Sequence, residues 1–262
     1  MHLGSFPTQL ESHLQGAAHV LVAGHMQPDA DCLGSLAALG HYLRERDCHT
    51  TLYCATPPPP MLRRLPGLHQ LSAELPSRCE LAFVVDSGDL LHAGLTRERL
   101  GELGNPVVVN IDHHQTNTQF GTLNLVLPSA ATTEILYHYF RQVGFSLDPD
   151  LATALLSGIV GDTGGFQHPN TTPQVLAVAA ELTAAGASLP EVVTLVFHDK
   201  TVPALRCWGR VLSKLKVNSA LGVAVAVLSA RDHADLSDPT AATSGLRMVC
   251  LDSKTEMRAS SS

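Results

Sequence analysis

Short apolar runs that end at polar residues recur along the first two thirds of the chain. The clearest is residues 107–111, a mostly β-branched run that stops at Asp112, His113 and His114. A run of this length, closed by polar residues, is typical of a buried strand in a parallel sheet. Ligands of open α/β sheets bind just outside the carboxyl ends of such strands. The pattern therefore predicts a strand that presents three polar side chains at a ligand-binding edge.

Similar apolar runs predict the other strands, at residues 18–24, 50–54, 81–85 and 120–127. Helical periodicity, with capping residues and glycines at the ends, predicts helices at residues 36–46, 129–143, 148–161 and 170–185. Strands and helices thus alternate through residue 186. This alternation predicts an α/β fold with a doubly wound, mainly parallel sheet flanked by helices.

A domain boundary is predicted near Gly186 and Pro190. Helical patterns follow at residues 191–198 and 203–216, a strand at 221–228, a helix at 241–246 and a strand at 247–251. We therefore predict a main domain of residues 1–187, a helical linker of residues 188–218, and part of a smaller α/β domain at residues 219–262.

The composition is that of a globular protein with a substantial core, since 45% of the 262 residues are hydrophobic and 16% are charged. No apolar run reaches the roughly 18–20 residues of a membrane span. Residues 1–16 lack the basic-then-apolar order of a signal peptide. The six cysteines form no C-x-x-C pair, which favours reduced and partly buried thiols. We expect a cytoplasmic protein with no membrane partner.

The net charge of −7 argues against a protein that coats duplex nucleic acid through a broad basic face. It does not exclude a small anionic substrate, because bound divalent cations reverse the local field. The 14 histidines are many for this length, and their positions carry more information than their number.

The loop between the first predicted strand and helix carries His25, Asp29 and Asp31 within seven residues. Capping of a helix N-terminus is the ordinary role of a single Asp at such a place. Capping does not account for all three side chains together. Gly34 and Ser35 suit the start of a helix, where free N–H groups favour an anion.

Two further segments end in carboxylates. Asp86 directly follows the strand at residues 81–85, although an Asp that begins a turn with Gly88 is the structural alternative. Asp162 lies in a glycine-rich helix end, where sharp backbone turns expose its side chain.

Four segments thus deliver carboxylates and imidazoles to one predicted edge of the sheet: His25, Asp29, Asp31, Asp86, Asp112, His113, His114 and Asp162. Five carboxylates in one place repel one another unless cations neutralise them. A mixed carboxylate and imidazole set favours Mn²⁺, with Mg²⁺, Co²⁺ or Zn²⁺ as alternatives. Two such ions, about 3.5–4 Å apart, clamp a phosphoryl group and generate hydroxide at neutral pH.

These segments resemble the four motifs of the DHH phosphoesterase superfamily. The matching stretches are His25-x-x-Pro28-Asp29-x-Asp31-x-x-Gly34-Ser35, Val85-Asp86-Ser87, Asp112-His113-His114 and Gly161-Asp162-Thr163-Gly164-x-Phe166. Their order and spacing agree across about residues 15–190. The chain is most similar to the bacterial nanoRNase and 3′-phosphoadenosine-5′-phosphate (pAp) phosphatase branch, in which a small C-terminal DHHA1 domain follows.

The resemblance implies a set of metal ligands. One Mn²⁺ would be held by residues of the first two motifs: His25, Asp29 and Asp86. The other would share Asp86 as a bridging ligand with three further residues: Asp31, His113 and Asp162. Cys32 lies inside the first motif and is expected to fill space rather than bind metal.

The resemblance also implies roles around the reacting phosphate. His114 would contact the scissile phosphate, and Asp112 would orient the histidine pair. Ser87 and Thr163 are candidate substrate contacts that we expect to support the ligands rather than react. His168 is another candidate substrate contact, for which an exposed loop histidine is an equally good interpretation.

The implied activity is hydrolysis of short single-stranded RNA or DNA oligonucleotides and of pAp, by two-metal activation of a bridging hydroxide. Alternatives within the superfamily are a cyclic-dinucleotide phosphodiesterase, a manganese pyrophosphatase and a RecJ-like exonuclease. A pyrophosphatase would need more basic residues near the metals, and the negative net charge disfavours the exonuclease. A non-catalytic nucleotide-binding module is the alternative from a different class. The resemblance also allows a homodimer.

The chain departs from the family near its C-terminal end, where no glycine-rich GGGH-type motif occurs before Ser262. In the family this motif holds the far end of the substrate. We expect metal binding to survive this departure. Activity on short RNA is expected to be weak unless another chain supplies the missing surface.

Overall fold

The computed structural model describes residues 1, 3–197, 202–219, 221–226, 249–251 and 257–259. The chain divides into two compact units, Met1–Asp199 and Lys200–Ser262. The strands of the first unit are β1 (His19–Ala23), β2 (His49–Tyr53), β3 (Leu71–Ser72), β4 (Leu81–Val85), β5 (Val107–Asp112) and β6 (Leu123–Val126). Its helices are α1 (Phe6–Leu14), α2 (Ala30–Arg44), α3 (Arg97–Glu102), α4 (Thr132–Gln142), α5 (Pro149–Asp162), α6 (Pro173–Ala184) and α7 (Leu189–Phe197).

The six strands form one sheet in the order β3-β2-β1-β4-β5-β6, and every neighbouring pair is parallel. The prediction of a doubly wound parallel α/β fold is confirmed. The strand order reverses between β1 and β4, which is the place where open α/β sheets bind ligands. Residues that follow β1, β4 and β5 therefore meet beside this crevice.

Both faces of the sheet are buried, because alternate residues of each strand enter different cores. In β4, Leu81, Phe83 and Val85 face the larger core, which lies under the helices on one side. Ala82 and Val84 face the smaller core, on the side of α3. Burial on both faces explains why the strands are continuous apolar runs rather than alternating patterns.

Helices α2 and α5 pack closely because glycine occupies their contact positions. A Cβ atom at Gly34 of α2 would lie 2.5 Å from the carbonyl oxygen of Ala154 in α5. A Cβ atom at Gly158 of α5 would lie 2.3 Å from both Asp31 Oδ1 and Thr133 Oγ1. The glycines therefore allow the start of α2 and the start of α4 to pack directly against α5.

Helix α1 was not predicted. It is held to the larger core by Leu10 and by Glu11, whose carboxylate accepts hydrogen bonds from the hydroxyls of Tyr42 and, at 2.7 Å, Tyr139. Arg46 lies 3.6 Å from the same carboxylate and 3.8 Å from the centre of the Tyr42 ring. Tyr42 lies in α2, Tyr139 in α4 and Arg46 two residues after α2, so only the folded chain brings these partners to Glu11. The six-residue α3 and the two-residue β3 were also not predicted.

The second unit contains α8 (Val202–Ser213) and two antiparallel strand pairs, β7 (Lys216–Asn218) with β8 (Val223–Val225), and β9 (Val249–Leu251) with β10 (Met257–Ala259). The predicted helix through residue 216 is wrong at its end, because Lys216–Asn218 pairs with β8 across a turn in which Gly222 has a φ of 64°. The predicted helix at residues 241–246 lies outside the described residues, as do the ends of the predicted strands at 227–228 and 247–248.

Within the described ranges, no single helix has both the length and the apolar content of a membrane span. Helices α6 and α7 have that length and apolar content only when they are taken together, and the angle between them is 112°.

Candidate metal centre

The predicted site residues meet at the carboxyl edge of the sheet. His25 and Asp29 lie in the loop after β1, and Asp31 lies in the first turn of α2. Asp86 directly follows β4, and Asp112 ends β5 with His113 and His114 after it. Asp162 ends α5. The four sequence segments thus come together as predicted, while the role of each residue stays a prediction.

The ring of His25 is held from one side and faces carboxylates on the other. Its Nδ1 lies 2.8 Å from the carbonyl oxygen of Met26 and donates to it. Its Nε2 lies 3.7 Å from Asp29 Oδ1 and 3.5 Å from Asp86 Oδ2. Burial opposes the charged ring, but Cys32 and the carboxylates of Asp29 and Asp86 together outweigh burial and raise the pKa of His25. A proton on Nδ1 leaves Nε2 as the ligand atom of the neutral ring.

His113 repeats this arrangement with different partners. Its Nδ1 lies 3.3 Å from the carbonyl oxygen of Ser129. Its Nε2 faces three carboxylate oxygens, at 3.2 Å from Asp162, 3.5 Å from Asp86 and 3.9 Å from Asp31. Burial alone would lower the pKa of His113, but Asp162 and Asp86 raise it to about 12.

Asp86 lies between the two histidines and faces each with a different oxygen. Oδ2 is directed to His25 and Oδ1 to His113, and the Thr132 hydroxyl donates to Oδ1 at 3.1 Å. Burial alone would raise the pKa of Asp86, but the two rings hold that pKa well below its usual range. The backbone of Asp86 has a φ of 53°, a left-handed conformation that costs free energy in a residue other than glycine.

Asp31 is fully buried and caps a helix distant in sequence. Its carboxylate accepts from the backbone N–H groups of Thr132 at 2.6 Å and Thr133 at 3.0 Å, and from the Thr133 hydroxyl at 2.7 Å. Helix α4 thus directs its N-terminal dipole at this side of the site. Burial raises the pKa of Asp31, and the charges of Asp86 and Asp162 raise it further.

Asp29 and Asp162 complete the set of carboxylates. Asp29 is the N-cap of α2 and accepts from the N–H groups of Asp31 and Cys32, so the capping alternative also holds for this residue. Burial raises the pKa of Asp162 to about 6, and the charges of Asp29 and Asp86 act in the same direction. For both Asp31 and Asp162, burial is the main cause of the raised pKa, and the neighbouring carboxylates raise it further.

Asp112 is fully buried behind the two histidines of its motif. Its Oδ1 accepts from His114 Nδ1 at 2.7 Å and from the backbone N–H of His113 at 2.8 Å. Nearly half of the His114 side chain, 46%, is exposed. The Asp112 hydrogen bond is the largest influence on the pKa of His114 and raises it.

The donor atoms fit divalent cations. Three groups of side chains each place possible ligand atoms within 4.8 Å of one another: Asp86, Asp112, His113 and His114; His25, Cys32 and Asp86; Asp31, His113 and Asp162. Carboxylate oxygens and imidazole Nε2 atoms suit Mn²⁺, Mg²⁺, Co²⁺ or Zn²⁺. Burial raises the pKa of the Cys32 thiol to about 12, which disfavours the thiolate that a metal needs.

The three candidate substrate contacts other than His114 have polar partners within the protein. The hydroxyl of Ser87 donates to the carbonyl oxygen of Asp89 at 2.8 Å. The hydroxyl of Thr163 donates to the carbonyl oxygen of Ile159 at 2.6 Å, in the last turn of α5. His168 Nδ1 lies 3.0 Å from the carbonyl oxygen of Asp162. These contacts support the loops that carry Asp86 and Asp162.

Several side chains beside the ligands were not predicted. Thr132 and Thr133 hydrogen-bond Asp86 and Asp31, and the start of a helix next to an acidic cluster was the signal that could have identified them. Asn117 donates to Asp112 at 2.6 Å. The ring of His92 stacks on that of His25, with centroids 5.0 Å apart. No pattern along the chain marks His92, because only the fold places it there.

A family model described as the DHH family, N-terminal domain, matches residues 19–159. The bifunctional oligoribonuclease and PAP phosphatase NrnA of Thermus thermophilus is 37% identical over 199 residues, which are 74% of this chain and 58% of that protein. The protein of the same description from Bacillus subtilis is 29% identical over 188 residues, 69% of this chain and 58% of that protein. The chain thus spans less than two thirds of the length of these relatives.

Among solved structures, an exopolyphosphatase-related protein from Bacteroides fragilis superposes with a TM-score of 0.83. The superposition covers 92% of this chain and 74% of the other, at 20% sequence identity. At this level of identity the likeness extends to the fold alone.

Proposed function

Because this chain belongs to the DHH family, we propose that it is a metal-dependent phosphohydrolase of short oligonucleotides and of 3′-phosphorylated nucleotides such as pAp. The two NrnA relatives, described as bifunctional oligoribonucleases and PAP phosphatases, support this choice of substrates. The residues that we assign to this activity all lie in the first compact unit.

The position of Asp86 carries the proposal. One of its oxygens lies 3.5 Å from His25 Nε2 and the other 3.5 Å from His113 Nε2, so a single carboxylate faces both groups of candidate ligands. We propose that His25, Asp29 and Asp86 hold one divalent cation. The second would be held by Asp86 with three further residues: Asp31, His113 and Asp162. Mn²⁺ is our choice of ion, because the ligands combine carboxylates with imidazoles.

When bound, the cations would neutralise the buried carboxylates, polarise the phosphoryl group and make a water molecule more acidic. The protein contributes fixed groups around them. The carbonyl oxygens of Met26 and Ser129 hold the His25 and His113 rings with Nε2 toward the carboxylates. His114, held by Asp112 at 2.7 Å, is the group that we assign to the scissile phosphate. Its exposed ring is accessible to a substrate that enters from solvent.

The domain division is part of the proposal. We assign residues 1–187 to the phosphoesterase domain, residues 188–218 to a helical linker and residues 219–262 to part of a DHHA1-like domain. The helices at Leu189–Phe197 and Val202–Ser213 support the linker. The border of the two compact units, after residue 199, falls inside it.

Hydrolysis of four substrates with added Mn²⁺ tests the proposal: a dinucleotide, pAp, a cyclic dinucleotide and pyrophosphate. The diagnostic variant is Asp86→Asn, since Asn keeps the shape and tolerates the left-handed backbone while removing the charge. Asp47→Asn is the matched control, because Asp47 also has a left-handed φ, of 58°, on an exposed surface.

We expect turnover of pAp and weak turnover of the dinucleotide in the wild type and the Asp47 variant, and the loss of both in Asp86→Asn. Equal rates for Asp86→Asn and the wild type would refute the metal centre. Preferential turnover of pyrophosphate or of the cyclic dinucleotide would replace the proposed substrates with those alternatives.

A further inference from the structure

The buried carboxylate of Asp112 receives a donor on each oxygen. Oδ1 accepts from the His114 ring at 2.7 Å and the His113 backbone at 2.8 Å. Oδ2 accepts from Asn117 Nδ2 at 2.6 Å. Asn117 lies in the loop after β5 and fixes the side of the carboxylate that faces away from the histidines. The orientation of the His114 ring therefore depends on Asn117 through one intervening residue.

The orientation of the Asn117 amide is set by backbone groups. Its Oδ1 accepts from the N–H of Gln119 at 2.7 Å, and its Nδ2 donates to the carbonyl oxygen of Ser87 at 3.1 Å. The reversed amide would place oxygen against both the Ser87 carbonyl and the Asp112 carboxylate. Only the orientation with Nδ2 toward Asp112 satisfies these partners.

Asn110 and Asn124 continue the hydrogen bonds behind Asn117 and form, with it, an asparagine network. They are register partners on β5 and β6. Asn124 is oriented by Gly121, whose N–H donates to its Oδ1 at 3.0 Å and whose carbonyl accepts from its Nδ2 at 2.8 Å. Asn110 Nδ2 then donates to Asn124 Oδ1 and to Asn117 Oδ1, each at 2.9 Å. The hydrogen bonds thus fix the orientation of each side-chain amide in the network.

We propose that Asn117 is a positioning residue that acts on the reacting phosphate through Asp112 and His114. A carboxylate held by three donors accepts hydrogen bonds only, so the Nδ1 atom of His114 carries a proton and Nε2 is left for the substrate. Loss of the Asn117 donor frees the Asp112 carboxylate to rotate, and the ring loses its fixed orientation. Only one part of this inference rests on the proposed function, namely that Nε2 of His114 faces a phosphate. The control of the ring orientation by Asn117 does not depend on it.

The state of the His114 ring is measured on the metal-free chain, by long-range ¹H–¹⁵N NMR of ¹⁵N-histidine-labelled protein with the ring assigned from His114→Gln. In the wild type, at a pH where the ring is neutral, we expect the proton on Nδ1. In Asn117→Ala we expect a mixture with the Nε2-protonated form. Thr118→Val is the matched control, because it removes a 3.2 Å hydrogen bond from Thr118 Oγ1 to the Gly88 carbonyl in the same loop.

Asn117→Leu is a second variant of similar size that has no donor, and it replaces Asn117→Ala if that variant does not fold. An unchanged His114 signature in the folded Asn117 variant would overturn the proposal. So would an equal change in Thr118→Val, since general loosening of the loop would then be the cause. Both outcomes are independent of turnover, so the proposal and the proposed function fail separately.

Kinetics with Mn²⁺ supply a second measurement. We expect Asn117→Ala to lower kcat by about 10–100-fold, as removal of a partner behind a ligand commonly does. KM should change by less than about threefold, because the residues assigned to the cations are unchanged. In an Asp112→Ala background the Asn117 effect should disappear, since the intermediate residue is gone. A full Asn117 effect in that background would overturn the route through Asp112.

Discussion

Gly158 is the residue of α5 at which a single added methyl group should disturb both folding and metal binding. In Gly158→Ala the new Cβ would lie 2.3 Å from Asp31 Oδ1, 2.3 Å from Thr133 Oγ1 and 2.6 Å from Thr133 Cγ2. These two oxygens are hydrogen-bonded to each other at 2.7 Å. Asp31 and Thr133 are both fully buried, so neither has solvent into which to move.

The free-energy cost has two unfavourable parts and one favourable part. Overpacking of a well-packed interior costs about 1–3 kcal/mol. Loss of the hydrogen bond from Thr133 to the buried Asp31 carboxyl group costs about 1–3 kcal/mol. Alanine in place of glycine inside a helix stabilises the helix by about 1 kcal/mol. We expect Gly158→Ala to lower the free energy of unfolding by about 2–4 kcal/mol and to weaken Mn²⁺ binding, because Asp31 is displaced.

Urea denaturation of the metal-free chain measures the first effect, and isothermal titration with Mn²⁺ measures the second. Gly101→Ala in α3 is the matched control, since the nearest atom to its added Cβ is 3.7 Å away. The control should be as stable as the wild type or more stable by about 0.5–1 kcal/mol. A Gly158→Ala protein with wild-type stability and Mn²⁺ affinity would refute the close packing of α2, α4 and α5 around Asp31.

Three further predictions concern charge. Glu11→Gln should lower the free energy of unfolding in urea by about 1–2 kcal/mol, because two buried tyrosine hydroxyls lose a charged acceptor; a change below about 0.3 kcal/mol would contradict this contact. Between pH 6.5 and 9 the metal-free chain should lose stability as pH rises, by about 1.4 kcal/mol per pH unit for each of two buried histidines. The folded-state pKa values of His25 and His113 are raised, so their stabilisation is complete below the unfolded value and is lost as pH rises toward the folded one; urea midpoints that rise with pH would count against it. Free Mn²⁺ at 100 times its Kd should add about 2.7 kcal/mol to the stability of the wild type, and this gain should grow with pH because the ligands must lose protons; thermal melts in which Asp86→Asn gains as much would exclude these ligands.

The elements that were predicted well are those whose local sequence alone indicates whether they are buried. The strands at residues 81–85 and 107–112 could be predicted because strands buried on both faces appear in the sequence as continuous apolar runs. The ends of these strands then place Asp86 and Asp112 at one edge in any parallel sheet. The convergence of the three segments that follow β1, β4 and β5 could be predicted from strand direction and order along the chain.

The features that were missed depend on residues far apart in sequence. Asp31 caps α4 through Thr132, 101 residues later, and no local pattern carries this information. Helix α1 depends on tyrosines from two other helices. The strand Lys216–Asn218 continues a helical pattern along the chain, and pairing with β8 decided its conformation. Local propensity is a weak guide where tertiary pairing supplies the hydrogen bonds.

The residues around Asp31 have a consequence for how the chain comes apart. The possible ligand group of Asp31, His113 and Asp162 joins the start of α2, the end of β5 and the end of α5, so its members span residues 31 to 162. An ion held there would act as a removable cross-link between parts of the main domain that are distant in sequence. The chain could not separate these elements without first releasing the ion, and the rate of unfolding would then be limited by metal dissociation. Resistance to proteolysis would accordingly be set by the supply of metal as well as by the packing of the core.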